Sequence, residues 1–131
     1  MPKIIIAIAL LLVTTSCVFL AGCYKDKTVI PDTGAEVTRD VSFAADIIPI
    51  FDKSCSLSGC HSPGGKSPDL SAANAFNSLS VGNYFDINNP ENSTIYQWIT
   101  GKRSTQMPPT GINLDYNALI LAWIKQGAQN N

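Results

Sequence analysis

The stretch that decides how this chain is read is SCSLSGCHSPGG, residues 54–65. It holds the only histidine, His61, directly after Cys60, with Cys55 five positions before Cys60. Charged side chains are otherwise sparse, at 15% of 131 residues, so a lone imidazole beside a cysteine pair asks for a chemical reason. Two more cysteines, Cys17 and Cys23, lie upstream, and what becomes of them decides what the pair can do.

The chain begins MPKIIIAIALLLVTTSCVFLAGCYKDK. Lys3 forms a short positive segment, and Ile4 to Leu20 is an apolar run broken only by Thr14, Thr15 and Ser16. About 17 apolar residues just reach across a bilayer, so a retained anchor is one reading. Leu20-Ala21-Gly22-Cys23 resembles the bacterial lipobox, and favours another: cleavage after residue 22 and acylation of Cys23. Residues 1–22 are then a signal peptide, Cys17 is discarded with them, and Cys23 is blocked by lipid. Only Cys55 and Cys60 remain as thiols, in an envelope compartment that permits oxidation. Loss of Lys3 leaves 8 basic against 10 acidic residues, which gives no footprint for nucleic acid.

Residues 24–41, YKDKTVIPDTGAEVTRDV, are polar and carry Pro31 and Gly34, so 23–41 reads as a lipidated terminus with a flexible tether. As a coil it holds the following domain roughly 20–25 Å from the lipid. The KDK beside Cys23 is either a surface-export signal or an ordinary solvated linker start. Residues 42–131 form one domain, expected to be all-α. A first helix is expected from Ile47 to Ser54, capped by Asp46, with Pro49 in the first turn where its missing N–H has no partner to lose. A weaker helix is expected over 72–79 after Ser71. A third is marked by Asn89, by Pro90 at its first position and by Gly101 past its end. The last is capped by Asp115 and ended by Gly127, with Tyr116, Leu119, Ile120, Trp123 and Ile124 on one stripe. So few helical residues make a thin core, and small domains of this kind commonly rely on a disulfide, a metal or a cofactor.

Three readings of Cys55, Cys60 and His61 compete. One is a disulfide closing a short loop, with His61 incidental. A structural zinc site is a second, but it wants four Cys or His ligands and the processed chain offers three. The third is covalent haem: Cys-x-x-Cys-His attaches haem c, its thiols adding to the vinyl groups while the adjacent imidazole is held under the iron. Here the spacing is Cys-x4-Cys-His, so two extra residues within Ser56–Gly59 must bulge outward. Histidine-bound iron takes a sixth ligand or an open face, and Met is the usual electron-transfer choice. The processed chain has one methionine, Met107, in STQMPPTG, a polar loop stiffened by Pro108 and Pro109 rather than an apolar helix face.

FAADIIPIFDKSC, GCH, the Pro-Asp-Leu of residues 68–70, MPP and the terminal LILAWIKQGAQNN together resemble the small monohaem c-type cytochrome domains of bacterial lipoproteins, over residues 42–131. That resemblance implies a cytochrome c-like fold of three to four short helices around one covalent haem. It makes Cys55 and Cys60 the thioether sites and His61 and Met107 the axial iron ligands. It also implies that Trp123, or Leu119 and Ile120, pack against the first helix and the porphyrin. Two departures are visible: the widened motif, and the absence of the small glycine often found where the terminal helices cross, where Ala44 and Ala45 stand instead. A ligating imidazole usually donates its other N–H to a carbonyl, and the loop SPGGKSPDL near Pro68 is the natural source.

His/Met ligation raises the iron potential and closes the position where small ligands bind, so the expected role is electron carrier rather than enzyme. The partners implied are redox proteins of an envelope chain, met at an exposed haem edge in brief encounters. Lys102 and Arg103 are candidates to rim that edge, with solvated loop charges the plainer reading. A reading of another class is a haem-free, disulfide-closed lipoprotein module at the cell surface, with Tyr84 and Phe85 as exposed contacts.

Overall fold

The structure is a computed structural model that describes residues 31–131. The expected signal peptide, Cys23 and the first part of the expected tether lie outside the described residues. A π-helical turn, Phe43–Ile47, runs directly into α1 (Ile48–Ser54). There follow α2 (Ala75–Val81), a 3₁₀ turn (Pro90–Asn92), α3 (Thr94–Ile99) and α4 (Leu114–Lys125). Among the described residues there is no strand, so the all-α expectation holds at that level. No helix among them is long and apolar enough to cross a membrane.

The first helical segment starts earlier than the sequence reading has it. Ser42, not Asp46, is the cap, its Oγ accepting the Ala45 amide at 3.1 Å. Asp46 reaches back instead, accepting the Ser42 amide at 2.8 Å. The Asn131 side-chain and backbone oxygens take the amides of Phe43 and Ala44, so the first orphan donors of this helix all find partners. Pro49 explains the wide first turn. Its ring collides with the carbonyl four residues back in a regular helix, and here the turn before it is expanded, Ile48 donating to Phe43 five residues back.

The helix expected after Pro90 is divided. Ser93 breaks it with an extended backbone (φ −54°, ψ 134°), and its buried hydroxyl accepts the Asp86 amide at 2.9 Å. A serine hydroxyl that finds a loop amide competes with helix continuation. Gly101 ends α3 as expected, at φ +72°, with its N–H on Trp98 and that of Lys102 on Gln97. The same 5→2 and 6→1 pair closes α4 at Gly127 and Ala128. The α4 cap is Asn113, whose Oδ1 accepts from the amides of Asp115 (3.1 Å) and Tyr116 (3.0 Å). Asp115 lies inside the first turn, where a carboxylate still complements the helix dipole.

Trp123 is the centre of the core, 1% exposed, with Phe43 at 5.1 Å and Phe85 at 5.2 Å between ring centroids. Phe43 in turn meets Phe51 and Phe76 edge to face. Each such aromatic pair is worth about 0.5–1.5 kcal/mol beyond the area it covers. The helix crossing is thus filled by a phenylalanine against an indole rather than by a small residue.

Residues 31–41 differ from a free tether. Gln126 accepts the Val41 amide (2.8 Å) and donates to the Arg39 carbonyl (2.9 Å). Asn117 donates to Asp32 O (2.6 Å), and Gly34 donates to Leu114 O (2.8 Å). Ion pairs Arg39–Asp46 and Lys102–Asp32 fasten the same strap. The cause lies in α4, which is apolar nearly all round. Ala118, Leu121 and Ala122 are buried as well as Ile120, Trp123 and Ile124 of the predicted stripe, whose Tyr116 and Leu119 are half-buried, and a helix of that kind needs cover on its second face. Val37 and Val41 supply it, so the compact body begins at Pro31.

Candidate functional site

The described residues enclose a cavity of about 330 Å³, within the range of small-molecule and cofactor sites. Cys55, Cys60, His61 and Met107 all line it. Residues 46 positions apart in sequence are therefore brought to one space. The walls between them are apolar, with Phe51, Leu70, Leu79, Ile95 and Ile99 prominent.

The thiol segment follows from the end of α1. The Cys55 amide still bonds to Phe51 O at 2.8 Å, and the His61 amide returns to Cys55 O at 3.1 Å, closing the widened loop. Leu57, Ser58 and Gly59 are exposed, Gly59 at φ +77° and also at the edge of the cavity. Both cysteines are free thiols. Burial pushes the Cys55 thiol up to about 11, with the neighbouring Cys60 adding to the rise.

His61 is held by the loop that follows it. Nδ1 lies 2.9 Å from the Pro68 carbonyl and 3.1 Å from the Lys66 carbonyl. Both oxygens can only accept, so Nδ1 carries the hydrogen and donates, which in the neutral ring leaves the lone pair on Nε2. This is the arrangement a metal-ligating imidazole uses, and Pro68 is the residue the sequence reading singled out. The Pro-Asp-Leu run has a task for each member. Pro68 accepts from His61. Asp69 gathers the Ser71 amide (2.9 Å), the Ser71 hydroxyl (2.7 Å) and Asn74 Nδ2 (2.9 Å), which hold its carboxyl below the usual range. Leu70 donates its amide to His61 O at 2.8 Å and buries its side chain in the cavity wall.

Gly65 is a residue the sequence reading left as an ordinary loop glycine. A Cβ there would collide with the carbonyl oxygen of Cys60 and stand 2.9 Å from that of Ser62. Only a glycine lets the loop fold this tightly against the Cys60–His61 backbone.

The opposite wall is α3 and the loop after it. Ile95, Trp98 and Ile99 face the cavity, as their spacing implied, and Met107 with Pro108 and Pro109 completes the rim. Gln106 donates to Met107 O at 3.1 Å.

Several expected neighbours are elsewhere. Trp123, Leu119 and Ile120 pack into the core but are not among the cavity-lining residues, which draw nothing from α4. The reason is that Phe43, Phe85 and Phe76 fill the space beside the Trp123 ring. Trp98 is the tryptophan at the cavity. Tyr84 and Phe85, expected to be exposed, are half-buried: Tyr84 lines the cavity and Phe85 meets Trp123 edge to face. Lys102 is committed to Asp32 and leans over Tyr96, whereas Arg103 lies 5.7 Å above the Trp98 ring. The lining lysine is Lys66. Among the described residues no three His, Cys, Asp or Glu side chains converge as a metal-holding group.

Compared with models of known protein families, with curated proteins and with solved structures, the chain finds no match.

Proposed function

We propose that this chain is a lipid-anchored c-type cytochrome that passes single electrons between redox partners in a bacterial envelope, with a cytochrome c-like fold in residues 31–131. The observation that carries the reading is one apolar cavity lined by two thiols, an imidazole with a free Nε2 and the only methionine of the processed chain. The donor set suits haem c. Its thiols belong at the edge of a porphyrin and its imidazole and thioether at the iron, so donors spread around a cavity serve better than donors gathered at one point.

On this reading Cys55 and Cys60 would hold the haem through thioethers, and His61 Nε2 and Met107 would ligate its iron. The group supplies a one-electron couple when bound. The protein's share is orientation and exclusion. The Pro68 and Lys66 carbonyls fix the imidazole tautomer and plane, and their pull on the Nδ1 hydrogen strengthens Nε2 as a donor. Pro108 and Pro109 would stiffen the loop that presents the Met107 thioether to the cavity. The apolar walls keep water away, which together with His/Met ligation favours the reduced form. With Met107 as a ligand beside His61, the iron would offer no vacancy for oxygen or peroxide, hence a carrier and not an enzyme.

The test is an absorption spectrum, oxidised and then dithionite-reduced, on protein matured with a c-haem assembly system, with a haem stain of the denaturing gel. A sharp reduced α band with haem retained on the gel is expected, together with a weak far-red oxidised band from the Met107 sulfur. Absence of a Soret band, with Cys55 and Cys60 found disulfide-linked, overturns the reading in favour of the haem-free module.

A further inference from the structure

Five large apolar side chains are exposed among the described residues: Leu57, Val81, Ile87, Ile112 and Leu114. Two of them, Ile112 (50%) and Leu114 (37%), belong to one pole of the molecule. That pole is defined by contacts. Leu114 O accepts the Gly34 amide, Asp32 pairs with Lys102 and accepts from Asn117, and Ile112 Cδ1 approaches Gly101. It is also where the chain enters the compact body, at Pro31.

We infer that the face carrying Ile112 and Leu114 rests in the interfacial layer of the bilayer that holds the Cys23 lipid, and so sets the orientation of the domain. The inference rests on the lipoprotein reading of Cys23. Docking of the 31–41 strap shortens what lies between lipid and domain to residues 24–30. From Cys23 to Pro31 that segment spans at most about 29 Å whatever its conformation, at ~3.6 Å per residue. A body of this length has a radius of gyration near 13 Å. The Pro31 pole is therefore the one kept nearest the lipid. A short tether also holds the face at an effective concentration in the millimolar range, so two apolar side chains suffice where a free domain would not bind.

Charge contributes little. Lys102 is neutralised by Asp32, and the other two charged residues of 100–115, Arg103 and Asp115, are one of each sign. The contact is apolar, and it should form on zwitterionic and anionic bilayers alike.

The experiment is hydrogen exchange read by mass spectrometry on the full acylated chain in phosphatidylcholine vesicles, with and without phosphatidylglycerol. The reference is the unanchored Cys23→Ser chain in buffer. Amides within 100–114 are expected to slow by roughly tenfold on both vesicle types, the factor that covering these two side chains would give. Segments 55–61 and 81–88, which carry the other exposed apolar residues, should not change. Ile112→Ser with Leu114→Ser should restore fast exchange at 100–114. Because both side chains are exposed, an unaltered melting curve will show the fold intact. A chain that carries no lipid on Cys23 overturns the anchor and the orientation together. A lipidated chain whose 100–114 segment exchanges as in buffer overturns the orientation alone.

Discussion

Met107 and Gly65 each bear on the proposed iron site by a different route, and their variants should be told apart. Met107→Ala removes a proposed ligand. The potential should fall by about 0.1–0.3 V, part of the roughly 0.8 V that axial ligands span. The far-red band should vanish, and added imidazole or carbon monoxide should bind. Gly65→Ala leaves every donor in place but drives the loop away from Cys60 O and Ser62 O, taking the Lys66 and Pro68 carbonyls from Nδ1. A cost of about 1–3 kcal/mol in denaturant unfolding is expected, with a shifted potential and no new ligand binding. A Gly65→Ala chain with the stability and potential of the parent would refute the role given to this loop.

The clasp between the strap and the two terminal helical elements is built from few groups, and each can be removed. Gln126→Ala breaks two hydrogen bonds to residues 39–41, and about 1–2 kcal/mol should be lost in chemical denaturation. Exchange in 31–41 should rise well before global unfolding. Ser42→Ala removes a cap worth about 1 kcal/mol. Asp46 gives the clasp a pH dependence. Its carboxyl is held below the ordinary value chiefly by the Arg39 guanidinium and further by the Ser42 amide, against a partial burial penalty. A lowered folded value means that this contribution is fully present above the unfolded carboxylate range, near 4. It is lost as pH falls through the lower folded value. Asp46→Asn should flatten the acid side of the stability profile and leave the neutral-to-alkaline side parallel to the parent, as a urea series across pH will show.

The whole molecule depends on one aromatic junction. Trp123 joins α4 to the first helical segment through Phe43 and to the 84–86 loop through Phe85, while its Nε1 donates to Gln129 O at 2.9 Å and ties down the C-terminal tail. Trp123→Ala should cost about 3–5 kcal/mol, enough to unfold a domain this small. Trp123→Phe keeps most of the packing but strands the Gln129 carbonyl, and should cost less while freeing the tail. Because α4 does not line the cavity, the Trp123→Phe spectrum should match that of the parent.

What could be read from residues alone is what local chemistry enforces. The glycines after α3 and α4 end their helices because the closing motif needs a left-handed residue there. The stripe Ile95, Trp98 and Ile99 follows from helical period, and the Pro68 carbonyl on His61 from the short loop between them. Tertiary structure decided the rest. Asp46 and Asp115 have the composition of caps, but Ser42 and Asn113 hold those places because their side-chain oxygens accept the amides of Ala45 and of Asp115 and Tyr116. Residues 31–41 look like tether because their hydrogen-bond partners, Gln126 and Asn117, lie about 85 positions away in the chain. Trp123 and Trp98 are alike to a periodicity argument. Only the packing of Phe43, Phe76 and Phe85 around one of them leaves the other to face the cavity, since each ring can occupy a space only once.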